Sequence, residues 1–250
     1  DENYNGDTLR VDTEHGKLIS TVNGYEVDYK GGLCPVIDKY YYSPSRRAVH
    51  FAWPDRRPFA YKYDKGELLR GLLEECLNLG VTYQNETTAY DGNDSHEGVD
   101  IKCVSKGIRS KIRAKKLIIA DGVNTRMGQA MGFNRDRGYM GYALCVAHFM
   151  SGMREYSPSE WKGFWGRVYG SNLAPLIGTG PAGHFEDWAD VIVLGSPTDL
   201  PEKVLEYLMK KSPIAYMFEN AKVEEKYSCT VKAFTPLKTP YKGNVLLIGD

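Results

Sequence analysis

Leu117-Ile118-Ile119-Ala120-Asp121-Gly122-Val123-Asn124-Thr125-Arg126 is the stretch whose reading decides the fold. Its first four residues are apolar without alternation, the pattern of a strand buried on both faces of a parallel sheet rather than a half-exposed antiparallel one. The run passes directly into Asp121-Gly122, a turn pair, and a short helix is predicted from Thr125 to Met131. A second segment, Val245-Leu246-Leu247-Ile248-Gly249-Asp250, repeats the form: an apolar strand, a glycine, an acid. In open α/β sheets ligands bind beyond the carboxyl ends of strands. An acid there can accept hydrogen bonds from ligand hydroxyls, and the glycine beside it lets backbone come close. Taken singly, each Asp is read more readily as a turn or helix cap. Two such junctions in one mixed chain tip the reading toward a shared ligand site.

Working outward, Asp64 and Glu67 have capping-box spacing, and Leu68, Leu69, Leu72, Leu73, Cys76 and Leu77 recur at helical period up to Gly80. Residues 85 to 115 read as a polar meander, with a loop at Asp91-Gly92-Asn93-Asp94-Ser95 and a turn at Lys106-Gly107. Aromatic and β-branched strands are predicted over 40–63, 139–177 and 188–194, and a helix opens at Asp199-Leu200-Pro201-Glu202. A short helix from Ser212-Pro213 to Phe218 and strands near 225–234 and 244–248 complete the pattern. The segment before residue 30 carries only turn signals and weak alternation.

The 250 residues suffice for one large or two small domains, and 32 basic against 32 acidic side chains remove the field with which a nucleic-acid binder gathers phosphates. No apolar stretch reaches the roughly 18 residues a membrane helix needs. The five cysteines, 34, 76, 103, 145 and 229, are scattered and include no CxxC, which argues against a disulfide framework or a zinc site and for a reducing, cytoplasmic setting. The five histidines lack metal-ligand spacing, so no metal is expected. Cys34 reads as a buried packing residue.

On these residues the chain resembles the FAD-dependent oxidoreductases built like aromatic-ring hydroxylases, particularly the branch of geranylgeranyl reductases and quinone-reducing electron-transfer flavoproteins. Ala120-Asp121-Gly122-Val123-Asn124-Thr125-Arg126 looks like the family's central motif, with Thr125 where a serine is usual and the arginine closer than usual. Gly249-Asp250 looks like the late motif, whose Asp binds the flavin's ribityl chain. Gly31-Gly32 matches a turn that lies against the isoalloxazine. The resemblance therefore implies FAD as cofactor, held by Gly31, Gly32, Asp121, Gly122, Thr125, Gly249 and Asp250. It covers residues 30 to 250, and the family's N-terminal GxGxxG is absent, so the chain is expected to be an internal portion of a longer flavoprotein.

The cluster Trp161, Phe164, Trp165 and Tyr169, with Pro175 and the Gly178–Gly183 segment, falls where the family builds its substrate sheet; Trp165, Tyr169 and Pro175 are the implied substrate contacts. An ordinary sheet core explains the same aromatics equally well. Arg154, Lys162 and Arg167 could orient an anionic head group, though a solvated face explains them more readily. The expected fold is α+β: an incomplete Rossmann-like FAD-binding domain (1–35, 63–137, 243–250) interleaved with a largely antiparallel substrate-binding sheet (36–62, 138–242). The implied function is hydride or electron transfer between FAD and an apolar substrate, an isoprenoid double bond or a quinone. A flavin monooxygenase or halogenase, and a non-catalytic lipid- or partner-binding domain, stay open as alternatives. The implied partners are a prenyl lipid or quinone, with an electron-donor protein, a nicotinamide and peripheral membrane contact left open, and no nucleic acid. No catalytic residue is assigned.

Overall fold

The computed structural model describes residues 9–22, 24–133, 137–171, 177–183 and 187–249. The strands run β1 (Leu9–Asp12), β2 (Lys17–Ser20), β3 (Glu26–Asp28), β4 (Leu33–Val36), β5 (Asp38–Tyr42), β6 (Ala48–Phe51) and β7 (Ala60–Tyr63), followed by helix α1 (Lys65–Asn78). Next come β8 (Thr87–Ser95), β9 (Gly98–Ser105), β10 (Ile108–Ala114), β11 (Leu117–Ile119), α2 (Arg126–Ala130), β12 (Tyr139–Ser151), β13 (Glu160–Phe164), β14 (Ile177–Pro181) and β15 (Ala189–Gly195). Helix α3 (Pro201–Lys210), β16 (Lys222–Phe234), β17 (Tyr241–Lys242) and β18 (Val245–Leu247) complete the order. The chain divides into two compact units, residues 1–81 with 143–230 and residues 82–142 with 231–250.

The larger unit is organised on a seven-stranded sheet in the order β16-β12-β15-β14-β13-β5-β6. Its pairs β12–β15, β14–β15, β13–β14 and β5–β6 are antiparallel, and β13–β5 is parallel. Strand alternation sends Val191 and Val193 to one face, where Val204, Leu205 and Leu208 of α3 meet them with Met150, Phe164 and Tyr169. Pro201 sits at the first turn of α3, where its missing N–H costs nothing. Each such fully buried aliphatic side chain contributes roughly 1.5–3 kcal/mol relative to exposure. A separate antiparallel sheet, β1-β2-β3, packs Leu18, Val27 and Tyr29 against Leu68 of α1. Asp64 caps α1, its Oδ1 accepting from the Gly66 and Glu67 amides. Gly71 lets the helix lie directly on β3, since a Cβ there would stand 2.4 Å from the Asp28 carbonyl oxygen.

The smaller unit joins the meander β10-β9-β8 to a three-stranded sheet, β11-β18-β17. Val99, Ile101 and Cys103 of β9 pack with Ile119, Met127 and Val245 to form its core.

Helix α1, the meander and the mixed α+β class follow the sequence pattern; two features differ. The segment 91–95 is not a loop: after a bulge at Tyr90, β8 continues through it in register with β9, Asp91 opposite Lys102 and Ser95 opposite Gly98. The 117–120 run is buried on one face only: Ile119 is 3% exposed but Ile118 is 59% exposed, because β11 is an edge strand with one bare face. Helix α1 groups with the unit that carries the large sheet, because its apolar stripe is spent on β2 and β3, so the division falls at residues 81/82, 142/143 and 230/231.

Candidate functional site

In the smaller unit β11 and β18 are neighbours and parallel, with Leu117 opposite Val245, Ile118 opposite Leu246 and Ile119 opposite Leu247. The ladder continues past the strand ends, the Ile248 amide donating to the Ile119 carbonyl at 2.9 Å. Both apolar runs therefore finish side by side, and the turns that follow them leave the same edge of one sheet. Gly122 (φ 75°) and Gly249 (φ 86°) take the left-handed conformation at these two exits, and neither has an atom within 4 Å of where a Cβ would stand. Left-handed backbone is glycine's natural role. Here it also leaves open space beside the chain at both points.

Asp121 is exposed, and its Oδ2 accepts from the Met127 amide at 3.1 Å in the first turn of α2. A carboxylate near helix amides is favoured there. Thr125 is different: it is 2% exposed, and its Oγ1 accepts from the Gly128 amide at 2.7 Å as the cap of α2. It shapes the turn and offers no surface to a ligand. Asn124 is held by Lys232, whose Nζ donates to the Asn124 side-chain oxygen at 2.6 Å. A hollow of about 540 Å³ opens at this strand end, floored by Ile118 and Met127 and rimmed by Thr88, Asp121, Asn124 and Arg126. Asp250 lies outside the described residues. Asn124 and Arg126, which flank the cap Thr125 at the start of α2, carry no sequence signal beyond preceding and opening a helix at a strand end.

The residues implied for the flavin ring and the substrate lie in the larger unit. Gly31 has a packing reason to be glycine: a Cβ would meet the Tyr29 hydroxyl at 2.4 Å. That hydroxyl donates to the Gly32 carbonyl at 2.8 Å and accepts from the Asp64 amide at 2.7 Å, tying the turn to the start of α1. Cys34 is 2% exposed in β4, a packing residue as read. Tyr169, implied as a substrate contact, is 0% exposed in the main core and donates to the Ser43 carbonyl at 2.8 Å; burial raises its pKa. It is a core residue, because the turn at 167–169 points the ring inward against Phe164. Trp165 is half exposed and, with Tyr41, Pro44, Val49 and Phe51, lines an apolar hollow of about 900 Å³ with Arg47 at its edge. Pro175 lies outside the described residues. Trp161 spreads over the small-residue floor of β13 and β14: Cβ atoms on Gly163, Gly178 and Gly180 would all fall within 3 Å of its ring. Lys162 is not on a solvated face. It is buried, its Nζ donating to the Glu155 carbonyl at 2.5 Å and pairing with Glu160 at 3.1 Å.

Two ionic groups of this unit escaped the sequence reading. Asp38, 6% exposed, receives both terminal nitrogens of Arg56 at 2.7 Å and the His50 Nε2 at 2.7 Å. The Arg56 guanidinium, with help from His50, holds the Asp38 carboxyl below its ordinary range. Lys62 pairs with the buried Asp190 at 2.5 Å.

Comparison of the coordinates with solved structures finds three informative neighbours. A geranylgeranyl bacteriochlorophyll reductase-like protein from Thermoplasma acidophilum superposes with a TM-score of 0.67 at 16% identity, over 86% of this chain and 54% of that one. The flavin-dependent brominase Bmp2 gives 0.66 at 16%, over 88% and 56%. Aklavinone-11 hydroxylase, in a ternary complex with FAD and aklavinone, gives 0.62 at 16%, over 86% and 43%. The chain shares their fold. It spans about half the length of each, and at this identity the likeness speaks to architecture alone. No protein-family model and no curated protein matches the sequence. Among the described residues no helix is long and apolar enough to cross a membrane.

Proposed function

We propose that the chain is part of an FAD-dependent oxidoreductase of the geranylgeranyl-reductase-like branch, acting on an apolar isoprenoid or quinone-like molecule. The observation that carries this reading is the in-register parallel pair β11–β18, which brings Gly122 and Gly249 out at the same end of one sheet. The residues there fit a ribityl or ribose hydroxyl chain. Gly122 and Gly249 leave bare backbone with open space in front of it, and the exposed Asp121 carboxylate sits beside helix amides, suited to accept from hydroxyls. Gly249 is followed by Asp250, which supplies a second carboxylate in the sequence.

When bound, the flavin supplies the redox chemistry. The chain's part is to bind, orient and exclude water. Asp121 and the two glycine turns hold the cofactor's polar chain, while Thr125 keeps the first of those turns in shape through its bond to Gly128. The hollow walled by Tyr41, Val49, Phe51 and Trp165 suits an apolar substrate, and Arg47 at its edge suits an anionic head group. That the neighbours include proteins described as reductase-like, as a brominase and as a hydroxylase supports flavin chemistry as the common element and leaves substrate choice to the hollow.

The test is a titration of the purified protein with FAD, followed by anaerobic incubation of the loaded protein with a reductant and a prenyl lipid or a quinone. Saturable binding and loss of substrate double bonds, or reduction of the quinone, is the expected result. Product that forms only when oxygen is admitted would reject the reductase branch in favour of a monooxygenase or halogenase. Absence of FAD binding would reject the reading that Asp121 and the two glycine exits of this chain hold the cofactor by themselves.

A further inference from the structure

We propose that the hollow between helix α3 and the strands β12 and β16 is a binding site for a zwitterion with an apolar side chain, such as an apolar or aromatic α-amino acid. The two strands are neighbours at one end of the large sheet, and α3 packs on that sheet through Val204, Leu205 and Leu208. Beside this contact a space of about 540 Å³ stays open. Val146 and His148 of β12, Lys226 of β16, and Glu202, Leu205 and Met209 of α3 stand on its walls. The three helical residues share one face of α3 by their spacing. The volume lies within the ordinary range of small-molecule sites, and the lining is of the usual kind, apolar side chains with a few polar groups among them.

The charges on these walls divide into one spent pair and two unspent groups. Glu206 and Lys210, which also line the hollow, neutralise each other at 2.9 Å. Glu202 on the helix wall and Lys226 on the strand wall are exposed and have no ion pair among the described residues. An acid in the first turn of a helix is favoured without any ligand, which accounts for Glu202 taken alone. It does not account for Lys226 or for the imidazole beside it. Opposite charges that face one hollow without meeting are complementary to a ligand carrying both signs.

His148 gives the site its direction. Its Nδ1 is sealed from solvent and has no hydrogen-bond partner. Burial, with help from the Lys226 ammonium, lowers its pKa, so the ring is neutral at neutral pH. A neutral imidazole carries one proton, and a sealed N–H with nothing to accept it is avoided. The proton therefore sits on Nε2, the ring nitrogen that is not sealed, on a side chain that lines the hollow. Nε2–H and the nearby Lys226 ammonium are both donors, suited to a ligand carboxylate. Glu202 on the opposite wall suits the ligand's ammonium, and Val146, Leu205 and Met209 take its apolar side chain. A simple anion would leave Glu202 unanswered, and a simple cation would leave Lys226 and the imidazole unanswered. Nothing in this assignment draws on the flavin or on the strand ends of the smaller unit.

The experiment titrates the native protein at neutral pH with L-phenylalanine, with phenylpropanoate, which lacks the amine, and with phenethylamine, which lacks the carboxylate. Calorimetry reads the affinities, and proton–nitrogen NMR of the histidine rings reads the site. The expected result is saturable binding of L-phenylalanine that moves the His148 Nε2 resonance, with each analogue at least about tenfold weaker because one charged wall goes unanswered. In Glu202→Gln the advantage over phenylpropanoate disappears, and in Lys226→Met the advantage over phenethylamine disappears; both side chains are exposed, so the fold tolerates the changes. Absence of saturable L-phenylalanine binding, binding that leaves His148 unmoved, or equal affinity for the three compounds would overturn the proposal. None of these readouts involves FAD, so the outcome is separate from that of the flavin titration.

Discussion

Ile119 and Leu247 stand opposite each other on adjacent parallel strands although most of the chain's second half lies between them. The candidate site of the smaller unit is built on that pairing, because it aligns the exits at Gly122 and Gly249. Replacing either glycine by alanine puts a side chain into left-handed backbone at a cost of about 1–2 kcal/mol, with no steric clash against neighbours. Denaturant unfolding of G122A and G249A checks the stability cost. A loss of FAD affinity beyond what the stability change explains would show the added methyl groups intruding on the cofactor.

Thr125→Ala removes the oxygen that holds the Gly128 amide in a buried site, so stability falls by roughly 0.5–2 kcal/mol. Thr125→Ser keeps the oxygen and recovers most of that loss. If Thr125 instead touches cofactor directly, T125S would bind FAD as well as wild type while T125A, at equal folded fraction, would not.

The Asp38 group makes a pH prediction. Its carboxyl is lowered in the folded state, chiefly by Arg56, so it stabilises the fold above the unfolded carboxyl value of about 3.9. That contribution is lost as pH falls through the lower folded value. Arg56→Ala takes away a two-point charged contact to the Asp38 carboxylate and lowers stability near neutrality. It also moves the onset of acid unfolding to higher pH. Thermal melts of both proteins from pH 3 to pH 7 check this; superimposable acid limbs would contradict it.

Trp161 and the glycines beneath it form one packing unit. A methyl group on Gly178 would stand 2.8 Å from the indole Cζ2, so G178A costs about 1–3 kcal/mol through overpacking. Trp161→Phe in the same protein relieves the clash, and the double variant loses less than the sum of the two single changes. Additive losses would mean that the ring moves freely aside.

How much of this was legible beforehand depended on how local the signal was. The α1 helix, with its cap at Asp64, and the meander through β8, β9 and β10 are written in short-range periodicity, and both are present. The pairing of β11 with β18 was legible only as two similar strand ends; which strands lie side by side is a long-range fact. Ile118 looked buried because an apolar run gives no sign of whether anything covers its second face. Tyr169 and Trp165, four residues apart and alike in character, split into core and hollow because Trp165 follows directly on the end of β13 while Tyr169 closes a short 3-10 turn that buries its ring. The Asp38–His50–Arg56 group depends on Arg56 adopting a positive φ of 59° in a turn, which composition does not reveal.

The most direct test of the flavoenzyme account is a fluorescence titration of FAD with the wild-type protein and with Asp121→Ala, both verified as folded. Saturable quenching by wild type and an affinity at least about tenfold weaker in D121A, some 1.4 kcal/mol or more for a lost charged hydrogen bond, is the result the account predicts. Equal affinity in the two proteins, or no quenching by either, would contradict it.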